Sequence, residues 1–172
     1  MSIHVKNLNF FLRLCRYTPP HSKKEFLMRV LIVEDNAFNA FCLSRLLQTV
    51  NKQLKIKVVS DGCSALRYLT QYEVSLIILD GDLGENPNSN DNGPTLANSI
   101  WSKNSQIPII AWSDSEDMRA AFAGVFKQHN KAFDHESCWP KAVDPDLVLQ
   151  ALSFVSAHTE PNYLLPEIRV TV

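Results

Sequence analysis

Residues 76–84 read LIILDGDLG: four apolar residues in unbroken succession, then two acids, Asp80 and Asp82, with a glycine between them. An apolar run without polar alternation suits a strand covered on both faces, as in a parallel sheet. The pattern recurs along the chain. RVLIV (29–33) and IPIIAW (107–112) read as strands buried on both faces, LKIKVV (54–59) alternates like a less buried strand, and SCW (137–139) reads as a short fifth one.

Between these runs lie helical patterns. In AFNAFCLSRLLQTV, Leu43, Leu46, Leu47 and Val50 share one face. Asp61 is placed to cap GCSALRYLTQY, Pro94 sits in the first turn of TLANSIWSK, and Ser115 can cap SEDMRAAFAGVFKQHN, where Gly124 is a weak point. A last helix is capped by Asp144, opens on Pro145 and is expected to turn Leu147, Ala151, Phe154 and Val155 inward. The tail HTEPNYLLPEIRVTV, with two prolines, is expected to be irregular. Strands alternating with helices predict an α/β fold: a doubly wound, five-stranded parallel sheet with right-handed crossovers and helices on both faces. Sites in such sheets lie at the carboxyl ends of the strands.

The composition fits one globular domain. The chain has 172 residues, 45% hydrophobic and 20% charged, with a net charge of -1 that gives no long-range attraction to nucleic acid or to an anionic membrane. Residues 1–27 are locally basic, with Lys6, Arg13, Arg16, Lys23 and Lys24 against Glu25 alone. Cys15, Cys42, Cys63 and Cys138 have neither zinc-site spacing nor the density of a disulfide scaffold, and they are expected to be small core residues in a reducing cytosol. No apolar run approaches the ~20 residues of a membrane span, and the N-terminus lacks the marks of a signal peptide. The expected location is the cytoplasm.

The strand ends carry a set of polar groups: Glu34 and Asp35 after the first strand, Asp80 after the third, Ser113 after the fourth and Lys141 after the fifth. Carboxylates converging on one crevice repel one another and call for a cation, and an all-oxygen site with few protein ligands suits Mg²⁺. A lysine and a hydroxyl beside them complete a pocket suited to phosphoryl transfer, with a carboxylate as the attacking group.

In order and spacing, MRVLIVEDN, VVSDGCSAL, LIILDGDLG, IPIIAWSD and PKAVDPDLVLQAL resemble the blocks of the receiver domain of two-component response regulators, over about residues 28–157. That resemblance implies a flavodoxin-like sheet in the order 2-1-3-4-5. It further implies that Asp80 accepts a phosphoryl group from a phosphohistidine on a histidine kinase or histidine phosphotransfer protein. Asp35, Asp80 and the backbone carbonyl of Asp82 would coordinate Mg²⁺, with Glu34 helping through water, Ser113 turning towards the phosphoryl group and Lys141 pairing with it. The Asp82 side chain would lie at the pocket mouth.

Departures from the family pattern are local. Lys141 is followed by Ala142 where the family has proline after a cis bond, so the turn there is open. Cys138 stands where an aromatic switch residue is common, and the segments 81–93 and 114–137 are extended. The expected layout is a basic N-terminal extension (1–27), a stand-alone receiver (28–157) and a tail (158–172) too short for an output domain, so that signalling runs through contacts with another protein or a second copy. The extension is read as preceding a translation start at Met28, with a basic amphipathic helix over LNFFLRLCRY as the other account. Two rival functions remain. One is a receiver-like docking module that has lost phosphorylation; the other is a haloacid-dehalogenase-like phosphohydrolase using Asp80 and Asp82, which would leave Glu34 and Asp35 unexplained.

Overall fold

The computed structural model describes residues 28–84 and 92–159. Strands and helices alternate as β1 (Arg29–Val33), α1 (Ala37–Val50), β2 (Lys55–Val59), α2 (Gly62–Leu69), β3 (Leu76–Asp80), α3 (Gly93–Lys103), β4 (Ile109–Trp112), α4 (Glu116–Gln128), β5 (Cys138–Trp139) and α5 (Pro145–Thr159). Every neighbouring pair is parallel, in the order β2-β1-β3-β4-β5. The doubly wound five-stranded sheet expected from the sequence is therefore the fold.

Position in this order explains the composition of each strand. Strand β3 is flanked on both edges and covered on both faces, so all of Leu76–Asp80 is buried. Strand β2 lies at the edge, and Lys55 and Lys57 stand exposed there. Side chains alternate between faces along each strand. Val30, Ile32 and Ile78 join Leu43 and Leu47 of α1, Val148 and Leu152 of α5, and the indoles of Trp112 and Trp139 in one core. Leu31, Val33, Ile77 and Leu79 face the other way, onto Ala65 of α2, Ala97 and Trp101 of α3, and Phe122 and Phe126 of α4.

Helix starts follow the expected chemistry. Asp61 accepts from the Ser64 N–H at 2.7 Å, Ser115 from the Met118 N–H at 3.3 Å, and Asp144 from the Asp146 N–H at 2.8 Å. Asn36 and Asn92 cap α1 and α3 in the same way.

Two expectations are corrected. Phe154 is 57% exposed, because α5 turns Val148, Leu152 and Val155 inward. This stripe has the same spacing as Leu147, Ala151 and Phe154 but starts one residue later; α5 is apolar on adjacent faces, and spacing alone does not choose between them. Cys42 and Cys63 are exposed and so are not core residues, whereas Cys138 is half-buried and packs against the core on the α4 side. Burial still pushes the Cys138 thiol up from its ordinary value. The expected basic extension with its translation start or amphipathic helix (1–27, including Cys15), the part of the extended loop at 85–91 and the irregular tail beyond 159 lie outside the described residues.

Two substitutions test this reading of the helices. At exposed Gly124, in mid-α4, an added β-carbon would meet nothing within 4 Å. Gly124→Ala should therefore raise stability by about 0.5–1 kcal/mol in a urea titration. Asp61→Ala should cost about 1 kcal/mol at neutral pH. The hydrogen bonds from the Ser64 backbone and side chain hold the Asp61 carboxyl below its usual value of 3.8. The stability it contributes is thus present above that value and lost as the pH falls through the lowered one, so wild type and variant should converge in strong acid.

Candidate functional site

Four strand ends converge on one crevice. After β1 the ladder runs on for one residue, since the Glu34 N–H donates to the Val59 carbonyl at 3.0 Å, and Glu34 is buried at 2% exposure. Glu34 Oε1 then accepts from the Asn36 N–H at 3.1 Å, tying the acid to the start of α1. Asp35 is exposed at the rim. Asp80 ends β3 at 5% exposure, and its Oδ1 accepts from the Gly81 N–H at 2.6 Å.

Lys141 crosses this acidic space from the far side of the sheet. Its Nζ lies 2.5 Å from Glu34 Oε2 and 2.7 Å from Asp80 Oδ1, over the Trp112 ring at 4.1 Å from the centroid. The backbone explains how it gets there: the Lys141 N–H donates to Asp114 Oδ1 at 2.9 Å, so the residue after Ser113 anchors the turn after β5. Among the described residues no peptide bond is cis. The Lys141–Ala142 turn thus reaches the site with a trans backbone.

One carboxylate oxygen from each of Glu34, Asp35 and Asp80 can be chosen so that all lie within 4.8 Å of one another. Burial pushes Glu34 above its ordinary value of 4.5, and the nearby Asp80 charge adds to this, against the opposing pull of Lys141. A single ammonium balances one charge of this set. The donor set is all oxygen and partly open to solvent at Asp35, which fits a hard divalent cation such as Mg²⁺ with water completing its shell.

The remaining predicted residues surround this cluster. Ser113 is 4% exposed, its Oγ accepting from the Ser115 N–H at 3.2 Å, and a β-carbon on Gly81 would stand 2.9 Å from that oxygen. Ser113 therefore adjoins the chain directly after Asp80. Asp82 has an exposed side chain and no place in the carboxylate cluster, and its backbone bridges Asn92. That position does not favour an Asp82 general acid, whereas Glu34 and Asp35, which the phosphohydrolase reading leaves idle, both belong to the carboxylate cluster with Asp80.

Sequence reasoning missed the residues that hold this arrangement. Gly93 returns the chain so close to Asp80 that a β-carbon there would lie 2.0 Å from the Asp80 carbonyl, and the Gly93 N–H donates to the Gly81 carbonyl at 2.9 Å. Gly84 has φ 84°, beside Asp35 Oδ2. Gly84, in DGDLG, and Gly93, in NGP, were visible signals; the contact from Asp114 was not. On β5, Cys138 faces the α4 side and Trp139 the α5 side, so the indole does not stand in for an aromatic at position 138.

Comparison with known proteins agrees with this geometry. The family model described as response regulator receiver domain matches residues 30–139. Autoinducer 2 sensor kinase/phosphatase LuxQ of Vibrio vulnificus is 39% identical over 70 residues, which are 38% of this chain and 8% of that protein. The chain thus matches only a small part of that relative. Among solved structures, chemotaxis protein CheY4 of Vibrio cholerae aligns with a TM-score of 0.56 at 19% identity, over 75% of this chain and 98% of that one. The receiver domain of a DNA binding response regulator from Colwellia psychrerythraea 34H aligns with a TM-score of 0.59 at 19% identity, over 76% and 98%. These likenesses show the fold, and the family match covers most of the sheet and the acidic crevice: the chain belongs to the response regulator receiver domain family of two-component signalling.

Proposed function

We propose that Asp80 accepts a phosphoryl group from a phosphohistidine on a histidine kinase or histidine phosphotransfer protein, and that the phosphorylated chain signals through contacts with a further protein or a second copy. The observation that carries this reading is the state of Asp80. Its Oδ1 is clamped by Lys141 and by the Gly81 N–H, while among the described residues no group hydrogen-bonds to Oδ2, beside the cluster with Glu34 and Asp35. A buried carboxylate with one oxygen fixed and the other open is oriented as a nucleophile.

In the step, Asp80 Oδ2 forms a bond to phosphorus as the P–N bond breaks, and the electron pair of that bond returns to the imidazole nitrogen. Lys141 moves its charge from the carboxylate to the new phosphoryl oxygens, and Ser113 can donate its hydroxyl to one of them. Asp35, Asp80 and the Asp82 carbonyl would hold Mg²⁺, with Glu34 acting through water; the ion would supply charge neutralisation of the transferring group. Pairing of Ser113 and Lys141 with the phosphoryl group would bias the 114–137 segment and the α4–β5–α5 face between two arrangements. Chemistry of this kind makes the chain a self-modifying signalling module rather than a turnover enzyme. With a histidine kinase as donor, the chain would work in the cytoplasm. Among the described residues no helix is long and apolar enough to cross a membrane, and the net charge of -1 supports neither nucleic acid nor membrane as a partner.

Trp112 adjoins Ser113 and lies under Lys141, so its fluorescence reports on the pocket. Addition of Mg²⁺ and then beryllofluoride, a phosphoryl mimic, should change it in wild type and leave Asp80→Asn unchanged; equal silence in both would support the docking-module reading. Lys141→Met leaves Glu34 and Asp80 facing each other without a cation. In Mg²⁺-free urea titrations at neutral pH it should cost about 3 kcal/mol, with part of the loss restored by Mg²⁺.

A further inference from the structure

The outer edge of β2 faces no other strand among the described residues. The register shows which backbone groups it offers. The Lys55 N–H donates to the Met28 carbonyl, and the Val59 carbonyl accepts from the Glu34 N–H. Parallel pairing alternates direction along a strand, so residues 55, 57 and 59 turn their amides to β1, while Ile56 and Val58 turn theirs outward. Between this edge and α2 runs an open groove of about 360 Å³, lined by Lys57, Val58, Ser64, Arg67, Tyr68 and Gln71.

The charged side chains that line the groove are basic, with one acid, Asp61, beside them. Lys55 and Lys57 alternate on the α2 side of β2, the side on which Val59 packs, and Arg67 is exposed on α2. None of the three is in an ion pair among the described residues. Asp61 accepts hydrogen bonds from Ser64 and Ser60 and its charge acts on Arg67, which leaves Lys55 and Lys57 as the cations with no acid beside them among the described residues. Val58, on the opposite face of the strand, is 38% exposed and apolar.

We infer that this edge is a docking site for an extended acidic peptide segment of a partner protein, which adds as a sixth strand beside β2 with alternate side chains acidic towards Lys57 and Arg67 and apolar towards Val58. Outward N–H and C=O groups two residues apart match the repeat of another extended backbone, and the basic α2 side selects the sign of its side chains. The same lysines select against a second copy, because symmetric pairing of two β2 edges would set lysines against lysines. This edge is remote in sequence from Asp80, Ser113 and Lys141, and the inference does not depend on phosphorylation.

The test uses the full chain with a capped peptide of alternating glutamate and valine, and a lysine–valine peptide as control. Amide hydrogen exchange is followed by NMR. Saturating glutamate–valine peptide should slow exchange at Ile56 and Val58 by about tenfold or more, and the lysine–valine peptide should not. Lys57→Glu with Arg67→Glu should weaken binding at least about tenfold. Val58→Pro removes an outward N–H without touching the ladder to β1 and should weaken it as well. The inference is overturned if the two amides are not slowed, if both peptides bind alike, or if the charge reversal leaves binding intact. It is equally overturned if Ile56 and Val58 are already protected in the free chain, by its own segments or by a second copy.

Discussion

The ammonium of Lys141 sits 2.5 Å from Glu34 and 2.7 Å from Asp80, and it joins the ends of β1, β3 and the turn after β5 at one point. Two carboxylates this deeply buried are tolerated only with a partner, and the partner comes from the far edge of the sheet. Parallel strand pairing makes this possible, since every strand delivers its carboxyl end to the same side. The Trp112 ring beneath Nζ and the Asp114 carboxylate on the Lys141 N–H then fix where the cation stands. Charge balance is deliberately incomplete in one direction: Asp35 adds a further carboxylate at the rim, and the cluster is suited to admit a divalent cation and a phosphoryl group.

Much of this was legible because the physics is local. Unbroken apolar runs read as strands buried on both faces, and the alternation in LKIKVV read as a less buried strand, which the structure places at one edge of the sheet. Asp61 and Ser115 announce helix starts because a short acceptor side chain satisfies the first free N–H groups. Glu34, Asp35, Asp80, Ser113 and Lys141 could be gathered because topology, not contact prediction, puts them at one end of the sheet.

Other features were not legible because they depend on tertiary choice. α5 offers two apolar stripes one residue apart, and only packing against Trp112 and Trp139 selects Val148, Leu152 and Val155 and leaves Phe154 outside. The exposed Cys42 and Cys63 follow from helix rotations that are set by larger neighbours. The approach of Gly93 to the Asp80 carbonyl, and the hold of Asp114 on the turn after β5, join residues whose proximity exists only once the sheet has formed.

The central claim is covalent, and the most direct measurement is correspondingly chemical. The purified chain, incubated with Mg²⁺ and a small acyl phosphate donor, should gain the mass of one phosphoryl group. The modification should be labile to hydroxylamine, map to Asp80, and be absent without Mg²⁺ and in Asp80→Asn. Failure of the wild-type chain to take up phosphate from this donor and from a phosphorylated histidine phosphotransfer protein, or uptake at a residue other than Asp80, would contradict it.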